Sequence, residues 1–524
     1  MNIKSYLRNI INFRLLHMTR FSRILMAVLV ACVAVPSMQA EHLIVIGAND
    51  THSQVEPASD GLGGLFRRRA AMDEIRRNNK NVIAVHAGDA VQGTLYFSMF
   101  KGDVEYASID SLGYDIIVLG NHEFDNGIDE LAAHYKKIKA AKLSANYDFS
   151  NTPLAGVMQP YYIKSVAGKR IGFFGINVDP KGLISDDKYP GMIYLDNGEV
   201  AEATAKYLKE VQKVDFTIMV SHIGYYPEAV GQVGDSIIAS RSHYIDMIVG
   251  AHTHTLLQPG DPRTQVKNAD GKIITIGQNG KWGKYIATYD IDLDNFTVKY
   301  GQVKLDQSLD AKANYPAMAQ WLAPYKFKVD SVMNNVLGTS VRAMGDGDIP
   351  SQNWLCDAVM EMMPGISGIN KIDGVIMNKG GIRQPMPKGD VSEGLMGSMF
   401  PFDNRFMVVE VKGSDLLEAL RVMATRGGDA VSKEFKVEFA GEGENTRIVS
   451  AKLNGKKISP NKTYKIGSID YLINGGDHME ALGKGAKLFV DTVPYGNHMK
   501  DYIKMLTKQG RVVDASDVAR MYKK

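Results

Sequence analysis

The hexapeptide Gly120-Asn121-His122-Glu123-Phe124-Asp125 follows directly on the apolar run Ile116-Ile117-Val118-Leu119. A short run rich in Ile and Val that ends in a polar, glycine-led segment reads as a strand buried on both faces, with functional side chains at its carboxyl end. The same order recurs along the first half of the chain. The apolar run 43–48 leads into Asn49-Asp50-Thr51-His52, and 82–85 leads toward Gly88-Asp89. Further on, 216–220 leads into Ser221-His222, and 245–249 into Gly250-Ala251-His252-Thr253-His254. Another run at 171–176 and helix-like segments at 64–77, 129–141 and 197–213 lie between them. Strands that alternate with helices in this way define a layered α/β domain.

The polar segments are chemically alike. Asp50 and His52 stand two apart, as do His252 and His254, so an extended strand would point each pair to one side. Such pairs can hold two cations that share a carboxylate. Oxygen and imidazole donors without thiolate suit divalent Zn, Mn, Co or Fe(II). A lone Gly-Asp or Ser-His is an ordinary turn; the ordered set of five segments carries the inference. His86, His134, His243 and His498 have no such companions and read as core or surface residues.

The 524 residues are enough for two or three domains, and 45% apolar with 23% charged residues is a globular composition. A net charge of +3 gives no footing for a nucleic-acid polymer as partner. The two cysteines, Cys32 and Cys356, can build neither a disulfide framework nor a zinc ribbon. Cys356 lies in a helix-like segment at 354–362 and reads as buried and structural.

Residues 1–40 read as a secretory signal peptide: Lys4, Arg8, Arg14, Arg20 and Arg23 with no acid, then an apolar run at 24–35, then Pro36-Ser37-Met38-Gln39-Ala40. The run is too short for a transmembrane helix. A start at Met18 would leave a leader of conventional length. Cleavage after Ala40 would release the protein, whereas Leu29-Val30-Ala31-Cys32 is similar to a lipoprotein box that would anchor it by lipid at Cys32. Either route exports the protein to the periplasm or cell surface. Removing the leader's five bases from the 61 leaves 56 against 58 acids, a net charge of −2.

Beyond 303 the pattern changes to a polar, helix-prone stretch with Pro316, Trp321, Pro324 and Tyr325, read as a connector. A second domain follows, with hairpin-like strands at 406–411, 435–439, 448–453 and 464–468. Its glycine-rich loops are Asn378-Lys379-Gly380-Gly381-Ile382-Arg383 and Asn474-Gly475-Gly476-Asp477.

Taken together, these motifs resemble the calcineurin-like metallophosphoesterase superfamily, and more closely its secreted 5′-nucleotidase and UDP-sugar hydrolase branch, over about 42–500. The resemblance implies a four-layer α/β/β/α catalytic domain and a smaller α+β substrate-binding domain. The chain then divides into a signal peptide (1–40), a catalytic domain (41–302), a linker helix (303–340) that permits closure, and a nucleotidase C-terminal domain (341–524). Asp50, His52, Asp89 and His254 would hold one metal; Asp89, Asn121, His222 and His252 would hold the other. His122 would be the catalytic histidine and Asp125 its orienting carboxylate. Arg383 would meet the phosphate, Asn378 and Asp477 the nucleoside, and Phe402 one face of the base.

Two departures from the family stand out. His478-Met479 follows Asp477 where an aromatic is expected, leaving Tyr471 or Met479 as candidates for the second wall. A basic residue expected at 345–351 is absent, and Asp346 and Asp348 lie there instead. The implied activity is release of phosphate from nucleoside 5′-monophosphates. The alternatives are hydrolysis of a UDP-sugar, dinucleotide or cyclic nucleotide at the same metals, or a surface nucleotide-binding protein without catalysis.

Overall fold

The structure is a computed structural model that describes residues 41–227 and 232–524. The expected leader, with Met18 and Cys32, lies outside the described residues. The strands of the two large sheets in the first half are β1 (His42–Ala48), β2 (Val82–His86), β3 (Ile116–Val118), β4 (Ala141–Leu143), β5 (Tyr161–Val166), β6 (Lys169–Asn177), β7 (Phe216–His222), β8 (Met247–Val249), β9 (Gln265–Lys267), β10 (Ile273–Gly277), β11 (Tyr285–Asp292) and β12 (Val298–Lys304). They form two six-stranded sheets, in the orders β12-β11-β1-β2-β3-β4 and β9-β10-β8-β7-β6-β5.

Strand alternation explains how the layers stack. Leu43 and Val45 of β1, Ile83 and Val85 of β2, and Ile116 and Val118 of β3 face Phe173, Ile218, Val220 and Val249 of the other sheet in one core. The intervening Ile44 and Ile46 face the helix Leu65–Asn78, whose Leu65, Ala71 and Met72 join a second core. On the far side, Phe174, Ile176 and Met219 pack against Val200, Ala201 and Leu208 of the helix Asn197–Glu210. Helix, sheet, sheet, helix is the resulting order, as expected. Each fully buried Ile, Leu or Phe contributes about 1.5–3 kcal/mol, so three such cores hold the sheets rigidly in place. β1 runs parallel to β2 and antiparallel to β11, and β7 runs parallel to both β6 and β8. The carboxyl ends of β1, β2, β3, β7 and β8 therefore open on a common edge.

The stretch 303–340 is more than a linker helix. It begins in β12, forms the helix Pro316–Met333, and ends in the strand Val336–Ser340, which pairs with Gly389–Ser392. Met318, Leu322 and Val329 of the helix are buried with Leu95, Tyr96 and Phe97, and Tyr325 meets Phe100 edge-on at 4.8 Å. A sequence reading sees only that the stretch is polar. Its apolar residues recur at helical spacing and are covered by the first half of the chain.

In the second half, the helix Ile349–Ser367 is capped by Asp348, whose carboxylate accepts from Ser351 N at 2.9 Å, and it stops at Gly368 (φ 70°). Cys356 lies on it, fully buried. Arg405–Lys412 pairs with Thr463–Ile469 and Ala486–Pro494 in a four-stranded sheet. It is not part of a local hairpin; among the strands expected as hairpins, Phe435–Ala440 with Arg447–Leu453 is one. Residues 41–524 form one compact unit. Among the described residues no helix is long and apolar enough to cross a membrane.

Candidate metal centre

The expected ligands converge on the shared sheet edge, though not by strand alternation. β1 ends at Ala48, and Asp50 and His52 lie in the loop beyond it with φ of 47° and 45°. Asp89 (53°), His252 (81°) and His254 (53°) are also left-handed. Asp and His tolerate this region better than most residues, yet each such position costs about 1–3 kcal/mol and must be held by its surroundings. The side chains thus turn inward from tight loops. Close packing enforces it: a Cβ on Gly120 would sit 2.1 Å from Asp89 Oδ1, and one on Gly88 would sit 2.6 Å from His222 Nδ1.

Two clusters result, Asp50 with His52 and His254, and Asp89 with His222 and His252, each with its donor atoms within 4.8 Å of one another. Asp89 also reaches toward the first cluster, 3.9 Å from His52 Nε2. Asn121 is buried beside them, and its side-chain oxygen has no hydrogen-bond partner among the described residues. His222 donates from Nδ1 to Ala87 O at 2.7 Å, which turns its buried Nε2 toward Asp89 Oδ2, 3.2 Å away. Burial, reinforced by the charge of Arg383 at His52 and of Lys281 at His254, holds both imidazoles well below their ordinary pKa and therefore neutral. Buried carboxylates, imidazoles and the unpartnered Asn121 oxygen gathered at one place are a donor set that fits divalent cations.

His122 follows Asn121 in a short 3-10 turn. Its N–H donates to Asp89 Oδ1 at 2.9 Å, and its Nδ1 lies 3.0 Å from Asp125 Oδ2. Burial opposes the imidazolium, but the Asp125 and Asp89 carboxylates overcome it and hold the pKa above the ordinary value.

Three supporting residues carry no role in the sequence reading. Glu123, inside the hexapeptide, accepts from Asp89 N at 2.9 Å, from Ala90 N at 2.8 Å and from Gly120 N, so it ties two ligand loops together. Asn49 donates to Asp50 Oδ2 at 2.6 Å. Asn49 adjoins the candidate ligand Asp50 and Glu123 adjoins His122, which is the signal that finds them. Lys281 is the third, and no motif marks it.

The second half closes over the edge. Arg383 Nη2 lies 3.4 Å from His52 Nδ1, and Phe402 sits 6.1 Å from the His122 ring, centroid to centroid. Asn378 Nδ2 donates to Asp477 Oδ2 at 3.3 Å, and the Tyr471 hydroxyl bonds Asp477 Oδ1 at 2.9 Å. A cavity of about 980 Å³ is lined by Asn121, His122, Asn378, Arg383, Phe402 and Asp477, with Tyr471 also on its wall. Met479 is buried in the core of the second half, so of the two candidates for a second wall Tyr471 is the one that lines the cavity. The four histidines set aside lie elsewhere: His86 against Thr51, His134 by Glu130, His243 by Asp270 and His498 by Asp491.

Two sheets that present paired His and Asp candidate ligands at one edge, with a histidine–carboxylate pair beside them, match the layout of a metallophosphoesterase site. The calcineurin-like phosphoesterase family matches residues 44–256, and the 5′-nucleotidase C-terminal domain matches 328–484. The chain belongs to the metal-dependent phosphoric ester hydrolases that combine these two domains. It is 27% identical over 506 residues to the 5′-nucleotidase of Rattus norvegicus, covering 85% of each chain. A trifunctional nucleotide phosphoesterase of Bacillus subtilis is also 27% identical, over 83% of this chain and 32% of that one. The solved structure of a 5′-nucleotidase precursor from Thermus thermophilus superposes with a TM-score of 0.81 at 27% identity, covering 92% of this chain and 99% of that one.

Proposed function

We propose that the protein releases phosphate from nucleoside 5′-monophosphates after export to the periplasm or cell surface. The observation that carries this reading is the single cavity that joins His122 and Asn121 to Asn378, Phe402 and Asp477. Two divalent cations of the Zn, Mn, Co or Fe type, one on Asp50, His52, Asp89 and His254 and one on Asp89, Asn121, His222 and His252, would neutralise the phosphate and activate water for in-line attack. Arg383 then receives a phosphate oxygen through its planar, permanently charged fork. His122, protonated and held at Nδ1 by Asp125, turns Nε2 toward the ester oxygen and donates the proton that the leaving nucleoside needs. Phe402 stacks on the base, while Asn378 and Asp477 offer it polar partners.

A second reading, a UDP-sugar, dinucleotide or cyclic nucleotide as substrate, is favoured by the cavity's size of about 980 Å³, near the upper end for small-molecule sites. Phosphate release from AMP, UDP-glucose, NAD and 2′,3′-cyclic AMP, with Zn or Mn added back to metal-free protein, separates the two. Preferred turnover of AMP supports the first reading, and preferred turnover of any other member of the panel replaces it.

A further inference from the structure

The first half of the chain reaches the Asp477 turn through a segment that follows β6. In Asp179-Pro180-Lys181-Gly182-Leu183-Ile184, the Asp179 carboxylate accepts from Lys181 N at 3.0 Å, and Pro180 O accepts from Leu183 N at 3.0 Å and from Ile184 N at 2.9 Å. Proline presets the start of such a turn, and Gly182, with φ of 80°, fills the position that most residues avoid. Beyond it Leu183, Ile184 and Ser185 line the cavity, and Ile184 is buried in a core of the first half. The turn is therefore anchored on its own side. Gly182 itself is not on the cavity wall.

Its carbonyl meets the second half. Gly182 O accepts from Asp477 N at 2.7 Å and lies 3.3 Å from the Tyr471 hydroxyl, which is 2.9 Å from Asp477 Oδ1. The contact is close: a Cβ on Gly182 would sit 2.9 Å from His478 Nδ1, and one on Gly476 would sit 2.5 Å from the Tyr471 ring. Asp477 and His478 both have left-handed backbones, with φ of 54° and 58°, which persist only where the surroundings hold them. One such restraint, at Asp477 N, comes from the other half of the chain. Asp477 in turn accepts from Asn378 Nδ2, so a shift of the turn moves Asp477, Asn378 and Tyr471 together.

We propose that Gly182 is a positioning residue for nucleoside recognition. Its carbonyl, supplied by the half that bears the candidate metal ligands, fixes the turn that carries Asp477, so the nucleoside site is complete only with both halves in contact. Selection of the nucleoside thereby depends on the first half, although Asn378, Phe402 and Asp477 all belong to the second. This rests on the nucleotide reading above for the identity of the ligand.

The test uses the metal-loaded full chain with adenosine as the probe, measured by calorimetry, and with turnover of AMP and of p-nitrophenyl phosphate alongside. Gly182→Ala places a methyl group against the His478 ring. It is expected to weaken adenosine binding roughly 5- to 50-fold, the loss of one or two hydrogen bonds, with KM for AMP raised by a similar factor and kcat changed much less. Turnover of p-nitrophenyl phosphate, which carries no nucleoside, should stay near the parent value. His478→Gly removes the ring that the methyl meets and suits the left-handed backbone, so in that background Gly182→Ala should cost much less. Tyr471→Phe keeps the ring and both turns but removes the hydroxyl, and should weaken adenosine binding several-fold. Adenosine affinity equal to the parent's in Gly182→Ala overturns the proposal, as does equal affinity in Tyr471→Phe if Gly182→Ala does not fold. Losses that simply add in the double variant also overturn it, because Gly182 would then act elsewhere than at the turn. Adenosine binding is read without turnover, so a parent that binds adenosine through this turn yet releases no phosphate from AMP refutes the functional reading and upholds this one. A parent that cleaves AMP with a KM unchanged in Gly182→Ala does the reverse.

Discussion

The Nε2 atoms of His52 and His254 face each other at 2.9 Å, from loops 202 residues apart in sequence. His52 is buried and His254 partly so, both are held neutral, and their nitrogens are brought together beside Asp50. Lone pairs so arranged repel unless a cation lies between them. Chelation should therefore lower the thermal midpoint, and Zn or Mn should restore it. A metal held at 1,000 times its Kd stabilises by about 4 kcal/mol. Identical melting with and without chelator, at verified metal removal, would contradict the arrangement.

His122 is not among the candidate metal ligands, though its ring meets His52 edge-on at 5.4 Å, so its loss should separate chemistry from metal binding. His122→Ala should lower turnover by roughly 10²- to 10⁴-fold, the usual contribution of a positioned general acid. Metal content, measured by elemental analysis, should stay at the parent value. Asp125→Asn should have a smaller effect and weaken the alkaline limb of the rate profile, because the carboxylate at 3.0 Å helps keep the imidazole charged.

On the proposed reading Phe402 stacks on the base. Stacking is worth about 1–3 kcal/mol, so Phe402→Ala should raise KM for AMP roughly 5- to 100-fold. With p-nitrophenyl phosphate, whose leaving group is no nucleoside, the change should be much smaller. Equal changes for both substrates would place Phe402 outside the base site.

Glu105 gives a pH prediction independent of the metals. Its buried carboxyl accepts from Ser53 Oγ, and desolvation pushes its pKa up to about 7 from 4.5. A raised carboxyl pKa means the folded state binds the proton more tightly than the unfolded state does. The associated stability is full below pH 4.5 and is lost as pH rises through about 7. Over that window the loss is about 3 kcal/mol. Glu105→Gln should therefore flatten the fall in denaturation midpoint between pH 5 and 8, within a measurement error of about 0.5 kcal/mol. An unchanged slope would mean that the carboxylate is solvated.

Much of this site can be read from the sequence because strand-end chemistry is local. Asn121 and His122 follow β3, His222 ends β7 and His252 follows β8, so a run of Ile and Val announces each. What is hidden is conformational or distant. Nothing in the letters of Asp50 or His254 shows a left-handed backbone, and alternation misassigned how their side chains meet. Lys281 is one lysine in a loop, and its ion pair with Asp346, 65 residues on, shows only in the fold. Tyr471 and Met479 are equivalent as apolar candidates until packing sends the methionine inward and leaves the tyrosine on the cavity wall.

β1 lies in the interior of its sheet, with β2 on one flank and β11, residues 285–292, on the other. Nascent chain emerging from the ribosome therefore carries Asp50 and His52 long before their partners exist. Contacts this distant in sequence form slowly. A candidate centre drawn from residues 50–254 is complete only once His254 has emerged, so no cation can be held by the full donor set before that point in synthesis.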